Sequence, residues 1–394
     1  MKNNHIPDKN SPRSIELASW CLRIITFAFL LQMGLSLQLW IPITRSYPSL
    51  PFFAFLPFHY YEWLTSFFSA LFLLGLCWAS LSSRWRQPAL LLALACFLLL
   101  VLEDANRFQP WAYVYTAFLI SITWYNWRPN PKRLVATLQF IFVMVYLWSG
   151  VHKLNVQFIH DVFPWLVGIF ESTRWLKEMP TFGYGMGFFE ILIAAALLFP
   201  RSRRIAVFSG ALLHAIILVL LIKDGWNSVV YPWNIAMPLL LYVLFWKTSD
   251  TPLLSLRNRP NWLAVGMFGL LPFLYLFHLA PNWLALSLYS GTTMECDLVV
   301  QKTGMESCFP APLKDEIIHY KDGSRLLSLD SWGMHDLNVP PLASDATYKA
   351  VGRHFCDCAI EHQGYIILYY PQKWENIDKR VIITCEELLE EPLF

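Results

Sequence analysis

Charge is scarce in this chain, and so are the motifs that mark most soluble enzymes. Only 15% of the 394 residues are charged, and the net charge is +2. The basic residues sit between apolar blocks and form no patch, so no nucleic-acid partner is expected. There is no glycine-rich phosphate loop, no Gly-x-Ser-x-Gly elbow and no His-Glu-x-x-His pair, which leaves nucleotide, hydrolase-elbow and zincin chemistry without a foothold. The first apolar block, near 19–40, lacks a small-residue cleavage site and reads as a retained span, not a signal peptide. His354-Phe-Cys-Asp-Cys358 lacks the Cys-x-x-Cys spacing and the second ligand pair of a zinc site, so a structural disulfide is expected there and no metal.

Apolar sequence is abundant instead: 56% of the residues are hydrophobic and 16% aromatic, gathered in long blocks. This composition specifies a polytopic α-helical membrane protein in contact with a lipid bilayer. Runs long enough to cross fall near 19–40, 60–81, 87–103, 110–127, 134–153, 183–200, 204–222, 228–246 and 262–280, about nine spans, of which the third and fourth are short. Tryptophans at their edges, including Trp40, Trp63, Trp85, Trp127 and Trp246, fit an interfacial belt.

Lys and Arg alternate in density along this series. One side collects Lys2, Lys9, Arg13, Arg84, Arg86, Arg128, Lys132, Arg133, Arg201, Arg203, Arg204, Lys247, Arg257 and Arg259. The other holds Arg45, Arg107, Arg174, Lys177 and Lys223. The positive-inside rule then makes residues 1–18 a cytoplasmic tail, 19–280 the bundle and 281–394 an exoplasmic domain, periplasmic in a bacterium. The stretch Phe158-Ile-His-Asp-Val-Phe-Pro-Trp-Leu-Val-Gly168, on the exoplasmic side, is too short to span and suits an interfacial helix over the mouth of the bundle.

The tail of about 110 residues reads as a small α+β domain. Residues 316–329 suggest a hairpin about Asp322-Gly323; Ser344 and Asp345 cap a helix running to about Ile360; 365–370 and 380–384 are further strands. Five of the eight cysteines lie here. The expected bridges are Cys296–Cys308 and one from Cys385 to Cys356 or Cys358, with one thiol left over.

Few residues are placed to carry chemistry. Lys153 ends an apolar run at the exoplasmic mouth, where a lysine either snorkels to the surface or is held inward. A lysine acts as general base only where burial or neighbouring cations favour its neutral form, and His152 and the apolar mouth are the features that would do so. Glu190 and His214 lie deep in apolar runs, either as a pair joining two helices or as the wall of a cofactor or proton pocket. In the polar loop 103–111, Asp104 and Arg107 suggest either a local ion pair or a headgroup site.

Gly150-Val-His-Lys-Leu-Asn155 resembles the Gly-Val-Lys-Lys-Leu-Asp stretch of the vitamin K-dependent γ-glutamyl carboxylases and their horizontally transferred transmembrane domain family. Residues 190–205, His214, Asp104-Ala-Asn106 and the 320–325 segment look similar to that family as well. The resemblance implies oxidation of a reduced quinone, with Lys153 as catalytic base beside His152, Glu190 and His214 lining the quinone pocket, and Asp104 and Arg107 near the mouth. The chain departs from the family at His152, where the family has lysine, and at Phe158, where it has tryptophan. Its tail is too short for the family's large exterior β-domain. The alternative is a non-enzymatic membrane scaffold or assembly protein that presents its C-terminal domain to partners, with the bundle's ionisable groups pairing helices.

Overall fold

The apolar blocks fold as helices whose ends coincide with the polar punctuation between them. A computed structural model describes residues 11–53, 61–128, 130–246, 260–301, 308–359, 361, 363–375 and 378–390. Lys2, Lys9, Lys247, Arg257, Arg259 and Ile360, used above to argue topology and a helix end, lie outside these described residues.

The first half comprises α1 (Ser11–Leu35), the short α2 (Leu37–Trp40), α3 (Glu62–Leu81), α4 (Arg86–Glu103), α5 (Pro110–Trp127) and α6 (Pro131–His152). After a π-helical turn at Phe158–Val162 come α7 (Phe163–Gly168), α8 (Gly183–Leu198), α9 (Arg203–Asp224) and α10 (Tyr231–Leu241). Local chemistry sets the ends. Asn130 caps α6 by accepting from the Arg133 N–H, with Pro131 in the first turn. Gly225 closes α9 at φ +73°, its N–H bonded to the Leu221 carbonyl.

Seven helical segments among the described residues are long and apolar enough to cross a membrane. Two of the nine expected spans fall short of that description. The 262–280 run becomes α11 (Trp262–Ala264), a π-helical stretch at Val265–Leu270 and α12 (Leu271–Tyr275), a sequence interrupted by Gly266, Gly269 and Pro272. Helix α5 is continuous, but Tyr113, Tyr115, Thr116, Ser121, Thr123 and Asn126 dilute its apolarity, and it is buried on nearly all sides.

Helix α6 is the axis: 78% of its apolar window is buried within the protein, against 33% for α9. Beside it, Phe29, Trp40, Phe72, Phe97, Trp111 and Tyr115 from α1 to α5 interlock in edge-to-face, tilted and stacked pairs, with centroids 5.1–6.5 Å apart. The stretch 158–168, too short to span, is helical as expected. Its residues Phe158, Ile159 and Phe163 form a small buried cluster with Tyr184 and Met186.

The tail builds one antiparallel sheet in the order β2-β3-β1-β4-β5. The strands are β1 (Glu295–Val300), β2 (Ile318–His319), β3 (Arg325–Ser328), β4 (Tyr365–Pro371) and β5 (Asp378–Thr384). Three helices, α13 (Leu329–Leu337), α14 (Asp345–Ala359) and α15 (Cys385–Glu390), complete it. The 322–323 hairpin, the helix from Asp345 and the two late strands are therefore all present.

The cysteine pairing differs in one bridge. Cys356–Cys385 forms, but Cys308 bonds Cys358, and Cys296 stays free. Cys296 points inward from β1 opposite Leu368 and belongs to the hydrophobic core, where it acts as a small apolar side chain.

Candidate functional site

The end of α6 brings two of the residues singled out in the sequence, Lys153 and Glu190, together, and glycine makes the arrangement possible. Helices α6 and α8 touch at Gly150 and Gly187. A Cβ on Gly150 would lie 2.5 Å from the Gly187 carbonyl oxygen, and one on Gly187 would lie 2.8 Å from that of Gly150. Such backbone proximity is the small-residue packing that membrane helices use in place of hydrophobic drive.

One turn beyond this contact, Lys153 reaches Glu190. The ammonium stands 3.1 Å from Oε1 and 3.3 Å from Oε2, and it also donates to Ser149 Oγ at 2.8 Å and to the Ser149 carbonyl. Both side chains are about 95% buried. Lys153 thus neither snorkels nor faces an open chamber; its three hydrogens have partners inside the protein.

Glu190 is accordingly not paired with His214, as its depth in an apolar run suggests. His214 Nδ1 contacts Asn234 Oδ1 at 2.8 Å and Nε2 contacts the Tyr146 hydroxyl at 2.8 Å. Asn234 donates through Nδ2 to the Val230 carbonyl, so its Oδ1 is the acceptor, the histidine hydrogen sits on Nδ1, and Tyr146 donates to Nε2. The network ties α6, α9 and α10 together. His152 turns away from both sets. Its ring stacks on Trp148 at 5.8 Å and meets the edge of Tyr275 at 5.1 Å.

Asp104 and Arg107 are not a pair either. Asp104 caps the short turn Ala105–Arg107 by accepting from the Asn106 backbone and amide, and its other oxygen binds Arg45 at 2.6 Å. Arg107 binds Glu103 at 2.6 Å and donates to the carbonyls of Leu39 and Leu100. Each cation satisfies orphan carbonyls as well as a carboxylate, which is how buried charge is tolerated.

The sequence reading missed Arg45, Glu103, Ser149 and Tyr146 as partners. Asn234, polar within an apolar run, was a signal of the same kind as Glu190 and His214. Among the described residues, no three of His, Cys, Asp or Glu gather as metal ligands. Two cavities stand out, neither lined by Lys153, Glu190 or His214. One is a groove between α1 and α10; the other lies beside Cys308–Cys358 where the tail meets Ser46 of the bundle.

The tail seats on the end of the bundle where Lys153 lies. Asp336 accepts from the Ser46 and Tyr47 N–H groups. Asn106 Oδ1 accepts from Leu342 N–H, Gln109 donates to the Pro340 carbonyl, and Asn338 donates to the Leu35 carbonyl and to Ser228. The turn between β4 and β5 docks as well: Val156 N–H donates to the Lys373 carbonyl, and Lys373 Nζ lies 4.0 Å from the centre of the Tyr275 ring.

Apolar helices on this scale, with ionisable groups paired internally and a disulfide-bonded sheet domain at one end, define an integral membrane protein. Residues 131–226 match the family model of methylamine utilisation protein MauE. That segment carries most of the residues on which the carboxylase resemblance rested, 150–155, 190–205 and His214, so the resemblance to the horizontally transferred transmembrane family is overturned in favour of a MauE-like segment. The match covers under a third of the chain and does not reach the tail. No curated protein matches the chain, and no solved structure does.

Proposed function

We propose that this protein is a membrane scaffold or assembly protein whose bundle holds the C-terminal domain at the exoplasmic face for a protein partner. The observation that carries the reading is the seating of the tail: hydrogen bonds between it and Leu35, the 46–47 loop, Asn106, Gln109, Val156 and Ser228 fix it to one end of the bundle. A tethered domain with no positional duty does not need so many fixed points. The paired state of Lys153 supports the same view, because its Nζ is occupied by Glu190 and Ser149. The exoplasmic assignment rests on the distribution of loop cations and on two disulfides in the tail, which suit an oxidising compartment.

The partner surface we favour is the open pocket of about 430 Å³ where the tail meets the Ser46 loop, with Phe309, Trp332 and Phe355 as apolar lining and His354 and Asp357 also lining it. A photocrosslinking residue placed at 354 in the full-length protein, in its own membrane, tests this. A discrete protein adduct that Asp357→Arg diminishes is expected. Absence of any adduct at 354, together with turnover of a reduced quinone that Lys153→Ala abolishes, would replace the scaffold with an enzyme.

A further inference from the structure

The outer wall of the bundle carries a charge, Arg23, that no carboxylate among the described residues neutralises. Between α1 and α10 lies a groove of about 220 Å³. Its floor is made by Ala28 and Ala236, both buried, and its exposed rims include Trp20, Phe27 and Ile235. Arg23 is the only charged residue among the described residues that lines it.

Arg23 lies eight residues inside the span that begins at Ile15, about 12 Å along the helix axis. Its guanidinium sits over the Trp20 ring, 5.2 Å from the centroid. Arg45, Arg107 and Lys153 each have a carboxylate partner; Arg23 has none among the described residues. Arg86, at the start of α4, feels the positive charge of Arg23, so no compensating carboxylate comes from that side. A lone charge on a lipid-facing wall is costly. Snorkelling would relieve Arg23 alone, but it gives no reason for the two facing alanines, Ala28 and Ala236, that floor an apolar groove directly alongside. A guanidinium recognises phosphate oxygens, and an indole at headgroup depth marks the interface.

We propose that this groove binds an anionic phospholipid of the leaflet that contains the N-terminal half of α1. The lipid phosphate is held by Arg23, with Arg86 adding to the local field, and one acyl chain lies over Ala28 and Ala236. The site is independent of the tail and of the scaffold reading.

Native mass spectrometry of the full-length protein in detergent tests it, with phosphatidylglycerol, phosphatidylcholine and inorganic phosphate as separate probes. Wild type should retain phosphatidylglycerol at least about fivefold over phosphatidylcholine, the preference expected from one or two cations near a headgroup. Arg23→Gln should lose that preference and Arg23→Lys should keep part of it. Arg84→Gln, which removes a cation that does not line the groove, should leave it unchanged. Ala236→Phe, which fills the channel with Arg23 intact, should reduce lipid retention. Equal retention of the two lipids by wild type, or an unaltered preference in Arg23→Gln, overturns the site. Arg23-dependent binding of inorganic phosphate without any lipid preference overturns the lipid as occupant, as does a dimer that seals the groove and carries no lipid.

Discussion

Asp104 is joined to Arg45, 59 positions away, and not to Arg107, three positions away. The 2.6 Å contact is almost wholly buried on both sides, and Arg45 also donates to the carbonyls of Tyr47 and Pro48. One ion pair therefore pins the loop after α2 to the turn after α4, beside the loop backbone that receives Asp336 of the tail. Arg45→Met leaves a buried carboxylate with only its Asn106 and Leu50 donors and should cost about 3–5 kcal/mol. Thermal unfolding in detergent reads this directly, and Arg45→Met with Asp104→Asn should recover a large part of the loss. Equal destabilisation in the single and double variants would show that the loop, not the pair, is being disturbed.

Lys153 and Glu190 invite the same cycle with a functional edge. Lys153→Met alone strands a buried carboxylate and should destabilise by roughly 3–5 kcal/mol, whereas Lys153→Met with Glu190→Met substitutes apolar bulk for the whole pair and should come close to wild type. The measurement is unfolding temperature together with the adduct formed from position 354. Scaffolding predicts that the double variant keeps both. A double variant that unfolds like wild type but loses function points to chemistry at Lys153.

The tail carries a pH dependence of defined sign. Partial burial, then the charges of Glu295 and Asp297, raise the Asp330 carboxyl from 3.8 to about 7. A raised acid means that the folded domain holds its proton more tightly than the unfolded chain. Stability is then highest below the ordinary value and declines as pH climbs from about 4 to about 7. After allowance for solvent screening, the decline between pH 5 and pH 8 should be on the order of 1–2 kcal/mol. Asp330→Asn should flatten that slope in denaturant titrations followed by hydrogen exchange of the tail's sheet peptides. A slope that persists in the variant assigns it to another group.

What could be read without a structure followed from periodicity and local chemistry. Apolar runs gave helices, Asp322-Gly323 gave a turn, and Ser344 with Asp345 began a helix, because each depends on neighbours in sequence. Partners in space were not legible in the same way. Asp104 and Arg107 have the spacing of an ion pair, yet Asp104 is committed to capping the turn that contains Arg107, and Arg107 points back to the carbonyl of Leu100. Glu190 and His214 both lie deep in apolar runs, but α8 meets α6 on the face that offers Lys153, and the histidine finds Tyr146 and Asn234 instead. Cys296 looked available for a bridge because spacing cannot show that β1 turns it into the core.

The closeness of α6 and α8 leads to the last expectation. Lys153 reaches Glu190 because Gly150 and Gly187 let the two backbones touch one turn away. Gly187→Val would place its Cβ 2.8 Å from the Gly150 carbonyl oxygen and from Leu154 Cδ2, and 3.3 Å from Lys153 Cβ. The leucine end can swing aside, but the carbonyl cannot, so the helices must separate. Separation should cost about 1–3 kcal/mol as overpacking and should lengthen the ion pair beyond hydrogen-bond reach. Two readouts follow: a lower unfolding temperature, and a Lys153 amine that becomes open to acylation, detected by peptide mass spectrometry. Gly185→Val, at a position with nothing within 4 Å of a new Cβ, is the control and should change neither. If Gly187→Val leaves Lys153 as protected as in wild type, the ion pair is held by its own bonds and does not depend on the glycine contact.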